Sequence, residues 1–384
     1  MSKSKVFAAG VTRNSNLELL RIVAMILIVA FHQLGGPFVI DAPEGGKAFE
    51  LISDNWKVYA IIRAFHAFSG DLGNILFAMI SGYFLIKATP TIYKTAQTAL
   101  KFYGLLLYNF VFAVFLSVAL SLFTPIPFAK INFNTIFSLG SLWYLGSYLF
   151  LLAFSPIINK WLNKLSRKAF TGLCIMVITI MTLLDLEANF LIPDSRIRTI
   201  IGGYLIGALL GRFNILKKIK TLPLVFMTFL PFIYYLCAYY FKMRFYHQTI
   251  LESANNLPTG YLVWFAPIAL FELFRRMQIT SRFINRVAAT TLFVYISHSV
   301  SPFLPMLREY AYVTLAGRLT GLSPWLFDIS YLFLIVGLTA VNFIVGSAFG
   351  MLYNLLIPHI KKLLLKVLPI SVEAGVDSNA KKVT

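Results

Sequence analysis

The sequence predicts an all-α, polytopic integral membrane protein, and three observations carry that expectation. Of 384 residues, 58% are hydrophobic and 13% charged, against about 25% charged in an average soluble chain. Mean hydropathy is +0.76. The apolar residues run continuously instead of alternating, which removes the transmembrane β-barrel. The length suits one integral domain over residues 1–368, followed by a polar, disordered cytoplasmic tail over 369–384.

Ten membrane segments are expected, at about 16–38, 70–88, 102–124, 141–159, 169–186, 199–213, 222–241, 258–274, 287–306 and 326–350. The first, NLELLRIVAMILIVAFHQLGG, follows a short basic leader without a small-residue cleavage site, so it reads as a retained span and not a signal peptide. The second follows an acidic, Gly/Pro-containing loop at 41–57 and the half-apolar stretch VYAIIRAFHAFSGDLGN. That stretch places Arg63, His66 and Asp71 at the outer membrane surface or in a re-entrant piece. The fourth opens on Trp143 and Tyr144, an ordinary interfacial aromatic pair. The fifth and seventh hold Cys174 and Cys237, which form neither a disulfide framework nor a metal spacing. The sixth is short, but Gly202, Gly203, Gly207 and Gly211 favour close helix packing. The ninth carries His298 within TTLFVYISHSVSPF. After the tenth, segment 352–368, which ends in HIKKLLLKVLP, reads as an amphipathic helix on the inner surface and not as an eleventh span.

The basic residues fix an expected orientation. Twenty-three of the 34 Lys and Arg fall in one set of loops, among them Lys94, Lys101, Lys164, Lys218, Arg286 and Lys362, and nine in the opposite set. The positive-inside rule then puts both termini in the cytoplasm. The net charge of +19 is spread through short interhelical clusters, which reads as topology and not as a nucleic-acid surface.

Arg21 and His32 both lie inside the first apolar run. Eleven residues at about 100° each put them on one helix face, roughly 16 Å apart along the axis. Glu18 sits one turn from Arg21 on nearly the same face. Charge in a span costs at least ~2.5 kcal/mol, so such a stripe points to a protein-lined or water-lined path. His32 is the candidate general base; its bland alternative is an interhelical packing histidine. Arg21 is suited to a phosphate or carboxylate, or else snorkels to headgroups. Glu18 is either the partner of Arg21 or an interfacial first-turn carboxylate. His298 is a second candidate for proton transfer or substrate alignment, against a simple interhelical hydrogen bond. Ser81, beside Gly82, either lines a cavity or merely permits close packing. Arg63 and His66 complete the set of candidate cavity residues. No metal site is expected, and no permanently bound cofactor. The sequence has no G-x-x-x-x-G-K-[ST] loop, no H-E-x-x-H and no G-x-S-x-G, so ATP-driven transport, zincin chemistry and serine-hydrolase chemistry are not indicated.

Four blocks resemble acyltransferase family 3, the multi-span acyltransferases of the polysaccharide O-acetyltransferase type. They are Arg21 through His32 with ten residues between, GDLGNILFAMISGYFLI at 70–86, SLWYLGSYLFLLAFSPIIN at 141–159, and RFINRVAATTLFVYISHSV at 282–300 with Tyr295 and His298. Asn74, Ile75 and Ala78 depart from the family's usual second block. The resemblance implies a bacterial, multi-pass cell-membrane enzyme, in style closest to Gram-positive exopolysaccharide modification. It implies acetyl-CoA or another acyl-CoA as cytoplasmic donor and a hydroxyl of a cell-surface or lipid-linked glycan as acceptor. Arg21, with Glu18, would hold the donor and His32 would deprotonate the hydroxyl, with Arg63 and Ser81 as candidate oxyanion donors. Membrane lipid and polysaccharide-synthesis machinery are the expected partners, and nucleic acid is not. The competing class is a transporter or flippase of a lipid-linked sugar, which would use Arg21 on the lipid phosphate; no convincing internal repeat favours it.

Overall fold

The computed structural model describes residues 14–38, 56–88, 91–123, 143–186, 195–245, 260–300, 318 and 321–367. Every regular element among them is helical. In order they are α1 (Ser15–Phe38), α2 (Trp56–Leu85), α3 (Ile92–Phe123), α4 (Trp143–Leu162), α5 (Arg167–Leu186), α6 (Ser195–Arg212) and α7 (Thr221–Phe245). After a 3₁₀ turn at Gly260–Trp264 come α8 (Phe265–Arg276), α9 (Arg282–Ala288), α10 (Thr291–Val300) and α11 (Pro324–Val367). Within these, Ser15–Leu34, Ile92–Ala119, Trp143–Leu162, Thr221–Lys242 and Trp325–His359 are long and apolar enough to cross a membrane. Large apolar side chains on such helices stay exposed, as at Leu107, Phe115, Phe333 and Ile344, as suits helices whose outer faces meet hydrocarbon and not water.

Local chemistry sets several starts. Asn14 Oδ1 accepts from the backbone N–H groups of Asn16 and Leu17 at the head of α1. Thr91, Ser166 and Ser281 do the same for α3, α5 and α9. These are the side chains that satisfy orphan donors in a first turn. The head of α1 is also tied to the segment before α9. Ser15 Oγ accepts from Ser281 N at 3.1 Å, Asn16 Oδ1 accepts from Ile279 N at 2.8 Å, and Asn16 Nδ2 donates to the Met277 carbonyl.

Two helices organise the bundle. α2 packs against α1, α6 and α7, and α1 in turn against α8, α9, α10 and α11. The α2–α6 contact is backbone on backbone. A Cβ at Gly82 would meet the Tyr204 carbonyl, one at Gly207 the Met79 carbonyl, and one at Gly211 would sit 2.6 Å from the Tyr83 carbonyl. The glycines of the sixth segment therefore serve the close packing expected of them. Across the end of this pair, Asn159 Nδ2 donates to the Leu85 carbonyl at 2.7 Å and Tyr204 Oη donates to Asn159 Oδ1 at 2.8 Å. At the end of α8 the fully buried carboxylate of Glu272 takes Arg275 at 2.8 Å and Arg276 at 2.7 Å.

Two expectations change. Arg63, His66 and Asp71 do not sit in a re-entrant piece; they belong to the single 30-residue helix α2. At 1.5 Å per residue it is about 45 Å long, so one helix holds both the half-apolar stretch and the apolar segment expected after it. The segment 352–368 is likewise not a separate surface helix: through Val367 it is the uninterrupted end of the 44-residue α11, with Pro358 inside it. The loop at 41–55, the ninth segment beyond 300 and the polar tail 369–384 lie outside the described residues.

Candidate functional site

α1 delivers its polar stripe as the helical spacing requires. Arg21 Nη1 donates to Glu18 Oε2 at 2.7 Å, with the Glu18 side chain nearly closed off and that of Arg21 27% open. Glu18 is thus the partner of Arg21. Above this pair a cavity of about 920 Å³ opens between α1, α2, α3, α4, α9, α10 and α11. Arg21, Met25 and Ile28 form its α1 wall, and Phe77 and Ser81 its α2 wall. Lys101 of α3 and Arg286 of α9 join Arg21, so three helices bring three cations to one chamber, and among the described residues no carboxylate stands in its wall. Tyr144, Tyr148 and Tyr295 line it as well, with the Tyr144 and Tyr295 rings 5.8 Å apart.

The upper part of the stripe meets α10. His32 lies one turn beyond Ile28, about 6 Å along the axis, and its Nδ1 is 2.9 Å from the Ile28 carbonyl. His298 Nε2 is 3.3 Å from His32 Nδ1, and the two rings meet edge to face at 4.9 Å. His298 is buried whereas His32 is exposed. The His298 ring also stands 5.7 Å from that of Tyr295, so the two histidines sit just past the tyrosine end of the cavity. His66 of α2 stacks on Phe31 at 4.3 Å, and Phe31 in turn meets His32 edge to face at 5.2 Å.

The other candidates divide. Ser81 lines the cavity, though its hydroxyl donates back to the Phe77 carbonyl at 2.9 Å. Arg63 and His66 are not in the cavity wall; Arg63 is buried with its guanidinium 5.7 Å from the centre of the Tyr239 ring. His298 is outside that wall too, but in direct contact with His32. Lys101, Arg286 and Tyr148 are not among the candidates picked from the sequence, and Tyr144, read there as an ordinary interfacial aromatic, instead lines the cavity. Lys101 and Arg286 stood in the basic clusters that set topology, and nothing in a linear cluster says that two of its members turn inward. Among the described residues no group of His, Cys, Asp and Glu is arranged to hold a metal ion.

Chemically, the chamber offers fixed positive charge at one end and paired imidazoles beyond the other. The first suits phosphate or another polyanion, because ion pairs strengthen when partly desolvated. The second suits proton transfer to or from a hydroxyl. Comparison with curated proteins and with solved structures gives no match. A family profile described as an acyltransferase domain matches residues 14–346, which takes in Arg21, Lys101 and Arg286 of the chamber and the histidine pair. By that match, over nearly its whole length, the chain belongs to the membrane acyltransferases of family 3.

Proposed function

We propose that this acyltransferase moves an acetyl group from acetyl-CoA to a hydroxyl of a cell-surface or lipid-linked glycan in the cytoplasmic membrane of a bacterium. The observation that carries the reading is the single chamber holding Arg21, Lys101 and Arg286, with His32 and His298 just beyond its tyrosine end. A donor bearing several phosphates and a long neutral arm matches such a chamber, which combines three cations with apolar and aromatic walls. With the ten spans expected from hydropathy, the positive-inside rule supports both termini in the cytoplasm and the cations on the side where acyl-CoA is made.

In this reading Arg21, anchored by Glu18, and Lys101 and Arg286 hold the donor phosphates. The thioester reaches past Ile28 and Tyr295 toward His32. His32 takes the proton of the acceptor hydroxyl, the oxygen bonds to the acyl carbon, and the carbon–sulfur bond breaks. The proton then passes to the departing thiolate, so His32 returns to its starting state. The Tyr144 and Tyr148 hydroxyls in the cavity wall are the candidate donors to the developing oxyanion. They replace Arg63, which faces Tyr239 instead. A thioester is already activated, so a base and an oxyanion donor suffice.

The test uses the full chain in lipid nanodiscs. Binding of acetyl-CoA and release of CoA thiol are expected from the wild type. His32→Ala is expected to bind acetyl-CoA normally and to lose turnover by at least about a hundredfold. Mass spectrometry of surface glycan from cells with and without the gene then reports the acceptor. A wild-type protein that neither binds acetyl-CoA nor releases thiol, yet moves a lipid-linked sugar across vesicles, would establish the transporter instead.

A further inference from the structure

We infer that His298 is the positioning residue of His32, holding that ring in one tautomer and supporting its cationic form during turnover. The inference rests on the proposed role of His32 as base, and it assigns to a residue 266 positions away a task that role leaves open.

The polarity of the contacts gives the argument. A carbonyl oxygen only accepts, so the His298 Nδ1 that lies 2.9 Å from the Val294 carbonyl carries a proton. In a neutral imidazole the other nitrogen, Nε2, is then the acceptor. That Nε2 faces His32 Nδ1 at 3.3 Å. His32 Nδ1 also lies 2.9 Å from the Ile28 carbonyl and must donate there. Its proton is therefore shared between an oxygen of its own helix and the lone pair of His298. Both contacts demand the same tautomer, with His32 Nε2 as the basic nitrogen. This is the arrangement in which a second group orients a catalytic base from behind.

The two acceptors do not contribute equally through the reaction. When His32 gains the hydroxyl proton its Nδ1–H becomes a charged donor, and hydrogen bonds from charged donors are stronger than neutral ones. The Ile28 carbonyl is already part of the α1 hydrogen-bond ladder. His298 Nδ1 supplies the bond to the Val294 carbonyl, which leaves Nε2 turned toward His32. His298 is also placed to stay put. It is buried, braced edge to face by Tyr295 at 5.7 Å, and carried on α10, which packs against α1, α3 and α11. Titratable or charged groups around the pair include, among the described residues, Tyr295 on α10 and His66 and Arg63 on α2, with Tyr144 of α4 behind Tyr295.

The atoms balance within the proposed reaction. The hydroxyl O–H breaks and His32 Nε2–H forms, the acyl oxygen bond forms as the carbon–sulfur bond breaks, and the proton leaves Nε2 for the thiolate. The Nδ1–H of His32 stays in place throughout, and His298 neither gains nor loses a proton.

The test compares His298→Gln with His298→Met in the full chain in nanodiscs. Gln presents an acceptor oxygen near the position of Nε2, whereas Met has similar length and only a weak thioether acceptor. His298→Met is expected to lower kcat for thiol release from acetyl-CoA by at least about tenfold, with KM within twofold of wild type. His298→Gln is expected to recover most of that loss. A purely packing role would spare Met at least as well as Gln. Equal rates for Gln and Met, or a kcat for Met within threefold of wild type, would overturn the inference. The parallel His32→Ala variant separates the two levels: if it turns over normally, the base assignment itself fails, and if it is dead while His298→Met is active, only the His298 inference fails. Should His298→Met not fold, judged by thermal melting, His298→Leu takes its place as the variant lacking an acceptor.

Discussion

Gly73→Ala tests how tightly the α1–α2 contact sets the candidate site. A Cβ at Gly73 would lie 2.6 Å from Ile28 Cγ1 and 2.7 Å from the Ala24 carbonyl oxygen, where ordinary contact begins at 3.4 Å. The isoleucine side chain can turn, but the carbonyl is fixed in the α1 ladder. Relief of the carbonyl contact therefore needs α1 to move off α2 by about 0.7 Å. Overpacking of this kind costs about 1–3 kcal/mol, partly offset by the ~0.5–1 kcal/mol that Ala gains over Gly in a helix. A net destabilisation of about 1–2 kcal/mol is expected. The moved segment contains Ile28, whose carbonyl meets His32 Nδ1. A displacement of 1 Å at reacting groups can cost ~10²-fold, so a roughly tenfold or larger loss of kcat is expected here. KM for acetyl-CoA should stay within about threefold, because Lys101 and Arg286 stand on other helices. The assay is thiol release in nanodiscs together with a thermal melt. Gly172→Ala is the control: nothing lies within 4 Å of its Cβ position, so the melt should rise slightly and the rate should not change. Wild-type kcat and melting in Gly73→Ala, or equal damage in Gly172→Ala, would refute the reasoning.

Three further outcomes are expected. Lys101→Gln and Arg286→Gln should each raise KM for acetyl-CoA about tenfold with kcat within twofold, and the difference from wild type should shrink in high salt as screening removes it. Glu272→Ala should destabilise the fold by about 1–3 kcal/mol, read by thermal melting, since Arg275 and Arg276 lose their shared carboxylate while keeping Asn214 and the Leu216 carbonyl; the folded fraction should keep its turnover number. Tyr204→Phe should cost about 1–3 kcal/mol in the same melt by leaving the buried Asn159 Oδ1 without its donor, with KM unchanged.

The helical class, five of the ten expected spanning stretches, and the α1 stripe were legible in the sequence because each depends on residues near one another in the chain. Hydropathy over about 20 residues identifies a span, and a turn of 100° per residue puts Glu18, Arg21 and His32 on one face. The Arg21–Glu18 bond at 2.7 Å and the glycine contacts of α6 followed from those rules. The same local rules misread the start of α2. Arg63, His66 and Asp71 lowered the hydropathy there and suggested a break, whereas burial of Arg63 against Tyr239 lets one helix run through. They also split α11, because a rise in basic residues after 359 looked like the end of a span, while the backbone ladder simply continues.

What the sequence by itself determined is therefore a membrane-embedded helical acyltransferase with a charged stripe on its first helix. Only the tertiary structure decided what that stripe faces. Lys101 and Arg286 join Arg21 in one chamber, and His298 arrives 3.3 Å from His32 across 266 residues of chain. Helical periodicity is a property of one segment, but the meeting of segments depends on which side chains interdigitate. Here that is decided by Gly73, Gly82 and Gly207 letting backbones touch, and by the Ser15 and Asn16 bonds that hold the head of α1 to the turn before α9.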